Sequence, residues 1–423
     1  MILRFLRSVI KLAGVLACGA LSAGAANYIL QTASGADIQQ ITARYSLILV
    51  RSLADRSQTV FLVSAVQPVT PQLTKQILSD PAVRLFESDA DVDSPETKPT
   101  SPPITSLAAL GTAITNRAPI QYFGAMVRSS YVQQPAAALI RLPDVLASYA
   151  SGGGIVAVID TGVDPDHPAL KGALVPGYDF TRNQPGYAPE TADLSQSTVA
   201  ILDQSTVAIL DGSQLPADFG HGTMVAGLIH LVAPIARIMP LKAFHADGSA
   251  QLSDIVRAIY FAVDNQAAVI NMSFSSPNPS ATLTNALQYA WSHGVVCVAS
   301  VGNDGREVIV YPAGVPHTIG VASTTPLDRR SVFSNYGNYV RISAPGEALI
   351  TTYPGNNYAG VWGTSFSTAL VSGAIALLTQ VNPKHPPAAL MEALEHGHHL
   401  QMDDMGDARL DLYATVLYAL SKH

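Results

Sequence analysis

Three residues far apart in the chain have types that together could break a covalent bond by nucleophilic attack. Asp160 ends an apolar run and is followed by Thr161-Gly162, a sharp exit typical of the carboxyl edge of a parallel sheet, where ligand sites lie. His221 is flanked by glycines, and Ser365 precedes an apolar helical stretch. Taken singly, each also has a structural interpretation, since an isolated aspartate most often caps a turn.

The combination of the three residues is more specific than any one of them. A serine hydroxyl is a poor nucleophile near neutral pH, so it needs a base, and the base needs an orienting carboxylate. A serine at a helix amino end also places its backbone N–H where a developing negative charge is stabilised. The order Asp, His, Ser excludes the α/β-hydrolases, in which Ser comes first, and the chymotrypsin type, in which His comes first.

The stretches around these residues, with four further ones, resemble the subtilisin-like serine peptidases. The matching stretches are residues 158–163, 221–227, 271–274, 300–305, 333–337, 344–346 and 363–369. Because all seven occur in the order of that family, coincidence is a weak explanation. The resemblance implies that the chain is an endopeptidase.

The resemblance also implies a role for each residue. Ser365 would attack the peptide carbonyl, and His221 would take its proton and pass it to the leaving amine. Asp160 would fix the imidazole and stabilise its charged form. Asn303 matches the oxyanion donor of the family, its amide joining the backbone N–H of Ser365, although alone it is as readily explained by a left-handed turn.

A substrate site follows from the same resemblance. The residues expected to line it are Ser273, Phe274 and Ser275 on one wall, Ala299, Ser300, Val301 and Gly302 on the other, and Val310 near the base. An apolar base without an acid favours an uncharged, apolar side chain before the cut. Ser275 stands where the family usually has glycine, which predicts a narrower site, and Phe366 replaces a common methionine beside the nucleophile.

No cofactor is expected, and calcium stays an open alternative although the usual strong-site loop is absent. Residues 231–237 lack the asparagine-containing loop that supplies a strong calcium site in many relatives, so calcium cannot be carried over to that position. His396, His398 and His399 lie near two aspartates but without a ligand spacing, and we interpret them as part of a solvated turn.

The fold class predicted for this part of the chain is α/β, a three-layer subtilisin-like fold with a mostly parallel sheet between helices. Strand and helix patterns alternate beyond about Ser130. Residues 155–159, 268–270 and 295–299 are continuous apolar runs, as expected of strands buried on both faces. Cys297 lies in the last of these runs and is interpreted as a small buried hydrophobe.

The amino terminus has the order of a secretory signal peptide at residues 1–25. Arg4, Arg7 and Lys11 precede an apolar stretch and the small triplet Ala23-Gly24-Ala25, after which cleavage is expected. A secreted or periplasmic protein is therefore predicted. The apolar stretch is short for a membrane span, which needs about 20 residues, so a retained anchor is the less favoured alternative, with a lipoprotein box at Cys18 as a third.

Residues 26–94 are predicted to form a small α+β (ferredoxin-like) unit of four strands and two helices. It resembles the inhibitor-type propeptide of these peptidases, which implies an intramolecular inhibitor whose tail occupies the active site until it is cut. A permanent accessory domain is the alternative. Prolines among Ser and Thr predict a linker and processing region at residues 95–127, which leaves 128–423 as the catalytic domain.

The composition of the chain limits the kinds of molecule that it is expected to bind. The chain has 24 Lys and Arg against 31 Asp and Glu, a net charge of −7, and no basic run, which excludes the electrostatic footprint of a nucleic-acid binder. Its two cysteines are too few for a disulfide framework. We expect protein or peptide substrates and a monomer.

The sequence therefore predicts a secreted serine endopeptidase made as a zymogen, acting through an acyl-enzyme and preferring apolar residues before the cut. Two alternatives stay open. Ser275 and the long insertion between Asp160 and His221 also fit a catalytically impaired protein that keeps the fold for binding. An eight-residue repeat within that insertion, at residues 197–212, also fits an exosite of a processing protease with narrow specificity.

Overall fold

The protein is described by a computed structural model that divides into two compact units. The described residues are 26–54, 56–93, 116–194, 216 and 218–422. The first unit comprises the residues up to Ser52 together with Thr59–Asp89, and the second comprises Leu53–Gln58 and Ala90–His423. The predicted signal peptide, the first part of the linker and the repeat at 197–212 lie outside the described residues.

The first unit is an antiparallel sheet covered on one face by two helices. Its elements are β1 (Ala26–Thr32), α1 (Ile38–Arg44), β2 (Leu47–Ser52), β3 (Val60–Ala65), α2 (Pro71–Leu78) and β4 (Val83–Ser88). The strand order β2-β3-β1-β4, with every neighbouring pair antiparallel, is the predicted ferredoxin-like arrangement. Leu30, Ile41 and Ile77 are buried in the core of this unit.

The second unit is built around an eight-stranded sheet. The strands of the whole unit, of which eight form this sheet and the others form two-stranded pairs, are as follows in chain order. They are β5 (Asp91–Asp93), β6 (Pro119–Tyr122), β7 (Ala125–Arg128), β8 (Ile155–Asp160), β9 (Gly177–Asp179), β10 (Gln184–Gly186), β11 (Arg237–Lys242), β12 (Ser249–Gln251), β13 (Val269–Met272), β14 (Val296–Ser300), β15 (Thr318–Thr324), β16 (Val340–Pro345), β17 (Leu349–Tyr353) and β18 (Asn357–Val361). Its helices are α3 (Ser129–Val132), α4 (Pro135–Leu139), α5 (Leu142–Leu146), α6 (His221–Val232), α7 (Leu252–Asp264), α8 (Ala281–Ser292), α9 (Thr364–Val381), α10 (Pro387–Glu395) and α11 (Leu412–Ser421).

The main sheet has the order β10-β9-β11-β8-β13-β14-β15-β16, and only the β10–β9 pair at one edge is antiparallel. Val156 and Val158 of β8 belong to a core cluster with α6 and α9. Successive side chains of a strand point to opposite faces, and Ala157 and Ile159 are equally buried on the face where α7 and α8 pack. The predicted three-layer α/β fold is therefore confirmed.

Cys297 lies in β14 and is buried, as its apolar surroundings predicted. Burial raises the pKa of its thiol to about 12, so the sulfur stays protonated and unreactive at neutral pH. Its contribution is packing between the sheet layers.

The predicted linker extends too far toward the carboxyl terminus. Pro119–Tyr122 and Ala125–Arg128 form a hairpin, and the buried Tyr122 hydroxyl donates to the carbonyl oxygen of Leu231 in α6. Strands of four residues are too short to show a clear alternation in sequence, so their packing on α6 decides their structure. The segments Leu53–Gln58 and Asp91–Asp93 also belong to the second unit rather than to the small α+β unit.

Among the described residues, α9 is the one helix long and apolar enough to cross a membrane, with a mean hydropathy of 1.3. Of this helix, 83% is buried inside the protein. A core helix passes the same test of length and composition, and α9 contributes to the main core cluster.

A buried histidine in α6 has no hydrogen-bond partner among the described residues. His230 is 4% exposed, its ring lies edge-on to Tyr122 with centroids 6.0 Å apart, and neither ring nitrogen is hydrogen-bonded there. Burial, with a smaller contribution from nearby His167, lowers the pKa of His230 to about 4. The folded protein therefore keeps this ring neutral, while the unfolded chain binds a proton below about pH 6.5.

We predict that His230 makes the fold sensitive to acid. As the pH falls from 6.5 toward 4, the unfolded state gains a proton that the folded state does not, which lowers the free energy of unfolding by roughly 2 kcal/mol at pH 4.5. Urea unfolding of a Ser365→Ala background at pH 7.5 and 4.5 measures this loss. His230→Leu should lose correspondingly less stability, and the exposed His293→Leu should behave as the background. Equal losses in all three would contradict the prediction.

Candidate active site

Asp160 and His221 are joined by a buried hydrogen bond. Asp160 is the last residue of β8, at the carboxyl edge of the sheet, and His221 is the first residue of α6. His221 Nδ1 lies 2.8 Å from Asp160 Oδ1, and the two side chains are 4% and 3% exposed. With Nδ1–H donating to the carboxylate, Nε2 is the ring nitrogen that can accept a proton.

Two glycines let β8 and α6 approach this closely. A Cβ at Gly222 would lie 2.0 Å from the carbonyl oxygen of Gly162 and 3.1 Å from Asp160 Oδ1. Gly162 has a φ of +108°, and a Cβ there would lie 2.4 Å from the carbonyl oxygen of Ala188. Glycine at position 222 is therefore a steric requirement of the close approach of α6 to the end of β8, and glycine at position 162 lets the loop that contains Ala188 pack against that end.

Ser365 lies in the first turn of α9, so the helix includes this residue, whereas the sequence placed Ser365 ahead of the helical stretch. Its Oγ donates to the carbonyl oxygen of Ser273 at 3.1 Å, and Ser273 Oγ donates back to the carbonyl oxygen of Ser365 at 3.0 Å. The ring of Phe366 lies 5.6 Å from the imidazole of His221, centroid to centroid. These contacts bring the start of α9 to the end of β13 and to the Asp160–His221 pair.

Thr364 orients the side chain of Asn303. Asn303 Oδ1 accepts hydrogen bonds from the backbone N–H of Thr364 at 3.0 Å and from its hydroxyl at 2.9 Å. The NH₂ end of the same amide therefore points away from Thr364. These two hydrogen bonds place Asn303 against the start of α9, where Ser365 directly follows Thr364.

The two segments predicted as pocket walls face one another. Ser300 Oγ donates to the carbonyl oxygen of Phe274 at 3.3 Å. A Cβ at Gly302 would lie 3.1 Å from Ser275 Oγ, so the Ser275 hydroxyl faces Gly302 on the other wall.

The predicted base of the pocket is held close to the first wall. Ser276 and Tyr311 exchange two backbone hydrogen bonds of 2.7 and 2.8 Å. Val310, next to Tyr311, is buried, as are Ala299 and Val301 on the second wall. The residues around this space are apolar or uncharged.

Strand β5 is joined to the second unit by backbone pairing. It pairs in antiparallel fashion with β12, with Val92 opposite Ala250. Ala250 also forms a bridge with Phe244, whose ring lies 4.9 Å from that of Phe274. Val92 is buried. The segment that precedes residue 94 thus lies next to the chain that follows β13.

A polar network beside the motif residues was missed by sequence reasoning. Glu190 is fully buried and accepts hydrogen bonds from the hydroxyls of Thr161, at 2.7 Å, and Thr223, at 2.6 Å. Lys242, also fully buried, donates to the carbonyl oxygen of Thr161 at 2.7 Å. A single acid in a loop has no periodic signal, and the only local hint is that both threonines lie within two residues of a motif residue.

Within the described ranges, no group of three or more His, Cys, Asp or Glu side chains is placed to hold a metal ion. His396, from the histidine cluster noted in the sequence, stacks on the ring of Tyr418 with centroids 3.5 Å apart. Its imidazole is engaged in packing at the end of α10.

Comparisons with known proteins agree with this geometry. The family model described as the subtilase family matches residues 151–411, more than half of the chain. The thermophilic serine proteinase of Bacillus sp. (strain AK1) is 39% identical over 228 residues, which cover 54% of this chain and 52% of that protein. The chain thus spans about half the length of that relative. M-protease of Shouchella clausii (strain KSM-K16) is 32% identical over 377 residues, 86% of this chain and 84% of that protein.

Solved structures give the same fold. The crystal structure of fervidolysin from Fervidobacterium pennivorans, a keratinolytic enzyme related to subtilisin, aligns with a TM-score of 0.70 over 93% of this chain and 61% of that chain. At 23% sequence identity this likeness shows the fold alone. With the family model and the relatives, it follows that the chain belongs to the subtilase family, the subtilisin-like serine endopeptidases.

Proposed function

We propose that this subtilase hydrolyses peptide bonds of proteins or peptides with Asp160, His221 and Ser365 as its catalytic triad. The observation that carries the proposal is the buried 2.8 Å hydrogen bond between Asp160 and His221, beside a serine in the first turn of a buried helix. A serine nucleophile requires a base and a carboxylate that orients the base, and the Asp160–His221 pair supports these two roles.

In the proposed reaction, the Ser365 hydroxyl turns from the carbonyl oxygen of Ser273 to His221 Nε2. Nε2 takes the hydroxyl proton as Oγ attacks the substrate carbonyl, and the bond to the amine breaks when the imidazolium returns that proton to the leaving nitrogen. A water molecule, deprotonated by the same ring, then cleaves the acyl-enzyme. Asp160 stays ionised throughout and stabilises the imidazolium.

Two donors stabilise the oxyanion in this proposal, the side-chain NH₂ of Asn303 and the backbone N–H of Ser365. The hydrogen bonds from Thr364 to Asn303 Oδ1 hold the amide in the orientation that this role needs. Loss of one such donor typically lowers turnover by about a hundredfold to a thousandfold. The reaction uses side chains of one chain only and no cofactor.

The substrate is proposed to bind as an extended strand along residues 273–275, with an apolar side chain before the cut. Support comes from the buried, uncharged surroundings of Val310 and from the facing walls of the pocket. Because Ser275 Oγ faces Gly302 on the other wall, small apolar side chains fit better than large aromatic ones.

Synthesis as a secreted zymogen is also part of the proposal. The antiparallel pairing of β5 with β12 supports it, because this is how a bound peptide adds a strand to an exposed sheet edge. The amino-terminal order of charged, apolar and small residues supports secretion.

We expect an active-site-directed organophosphate to label the processed protein at Ser365. Ser365→Ala should abolish labelling and lower kcat by about a millionfold, as is typical when the nucleophile of such a triad is removed. Intact-mass measurement and hydrolysis of a peptide substrate check both. Ser367→Ala, two residues further along the helix, serves as a control that should still be labelled. An unlabelled processed wild type would favour a binding protein with this fold.

The Ser275→Gly variant should widen the pocket. The ratio of kcat/KM for a substrate with Phe before the cut to that for one with Ala should rise by a factor of about 3 to 10, since a hydroxymethyl group leaves an apolar pocket. Steady-state kinetics on the two peptides measure the ratio. Ser276→Gly controls for backbone flexibility and should leave the ratio unchanged; a similar rise in both variants would refute a role of the Ser275 side chain.

Self-processing predicts different amino termini for active and inactive protein. Wild type should begin beyond residue 93 after maturation, whereas Ser365→Ala should keep the first unit. Amino-terminal sequencing of the secreted material checks this. The same start in both proteins would show that another protease performs the cut or that the first unit is permanent.

A further inference from the structure

Glu190 is a buried carboxyl group that the proposed reaction does not use, yet it contacts both elements that carry the Asp160–His221 pair. It lies in a 3₁₀ turn, Glu190–Asp193, between β10 and α6. Its Oε1 accepts from the Thr161 hydroxyl at 2.7 Å, and its Oε2 accepts from the Thr223 hydroxyl at 2.6 Å. The backbone N–H of Thr223 also donates to Oε1, at 3.3 Å.

The two threonines are the immediate supports of the pair. The backbone N–H of Thr161 donates to Asp160 Oδ1 at 2.8 Å, the same oxygen that receives His221 Nδ1–H. The Thr161 hydroxyl oxygen in turn accepts from the backbone N–H of Gly222, at 3.1 Å, which is the residue after His221. Through these bonds a single carboxyl group links the end of β8 to the first turn of α6.

Charged and titratable groups face Glu190 from several elements. The negative charge of Asp160 at the end of β8 opposes its ionisation, whereas Lys242 of β11 favours it. Burial is the largest effect and raises the pKa of Glu190 to about 7, against the lowering effect of the two threonine hydroxyls. Tyr353 of β17 is close enough for the charge of Glu190 to help raise its own pKa.

We propose that Glu190 is a positioning residue of the triad, whose ionised carboxylate holds β8 and α6 in register and strengthens His221 as a base. The inference rests on the proposed function. An ionised Glu190 accepts a hydrogen bond from the Thr161 hydroxyl, which keeps that O–H group turned away from Asp160. It also adds a second negative charge near the imidazolium that forms during the reaction, and in a buried site such a charge is weakly screened.

Protonation of Glu190 reverses both effects. A neutral carboxyl group donates one hydrogen bond, so one threonine hydroxyl must seek another acceptor. The Thr161 hydroxyl lies 3.3 Å from Asp160 Oδ1, which is the acceptor within reach. A further hydrogen bond donated to Asp160 Oδ1 weakens the bond between this oxygen and the His221 imidazolium, which makes His221 a weaker base. The loss of the negative charge of Glu190 also makes His221 a weaker base.

Glu190→Gln tests this inference, because it removes the charge and keeps the size of the side chain. We expect kcat to fall by about 3- to 10-fold with KM unchanged, and the acid limb of kcat/KM to move to lower pH by about half to one unit. Titration of the His221 imidazole by NMR in a Ser365→Ala background should show the same shift. Glu190→Asp keeps the charge and should restore the position of the acid limb, although not the full kcat.

Two further variants make the outcome decisive. Glu347→Gln removes another buried glutamate, which lines a cavity with Pro135 and Pro326, and should change neither kcat nor the acid limb. Thr223→Val removes one hydroxyl held by Glu190 and should lower kcat without raising KM, which gives a test even where Glu190→Gln does not fold.

An active wild type with an unshifted acid limb in Glu190→Gln, or an equal loss in Glu347→Gln, overturns the role of Glu190 and leaves the proposed function intact. A Thr223→Val variant with the kcat of wild type would also overturn the role of Glu190 and leave the proposed function intact. An inactive, unlabelled wild type overturns the proposed function instead.

Discussion

The meeting of β8 and α6 is the constraint on which the rest of the second unit depends. A carboxylate and an imidazole are placed in contact away from water, where a charged group is costly unless hydrogen bonds compensate for lost hydration. The backbone N–H of Thr161, which donates to Asp160 Oδ1, supplies part of that compensation. The contact also demands the absence of a side chain at Gly222, so the geometry of the pair and the packing of the backbone cannot be varied independently.

The parallel sheet explains why residues more than a hundred positions apart share one edge. Strands β8, β13 and β14 are neighbours in the sheet, and Met272 is in register with Ile159 on one side and Ala299 on the other. The chain that leaves each strand therefore emerges at the same edge. One strand end carries Asp160, and the next two lead into the segments that face each other across the proposed substrate pocket. The apolar helix α9 then brings Ser365 to that edge from within the core, so the position of the proposed nucleophile is set by hydrophobic packing.

The proposed zymogen and the proposed substrate use the same physical mode of binding. Strand β5 satisfies the backbone groups of β12, as an extended peptide would, and buries Val92 beside the aromatic pair of Phe244 and Phe274. Backbone pairing of this kind depends little on the sequence of the bound segment, whereas the proposed pocket selects the substrate side chain that precedes the cut.

The sequence by itself determined the features that leave a local pattern. Continuous apolar runs predicted β8, β13 and β14, and glycine-flanked or helix-leading positions drew attention to Asp160, His221 and Ser365. It did not reveal the β6–β7 hairpin or the transfer of residues 53–58 to the second unit, because short segments carry too few residues to show a period. It also did not single out Glu190, because the positions of Thr161 and Thr223 beside motif residues are the only local hint of the network. A lone acid in a loop becomes a buried support only when β8, β11 and α6 close around it, and that depends on contacts between residues distant in sequence. Tertiary structure alone decided this network, since burial and hydrogen-bond partners are properties of the assembled core.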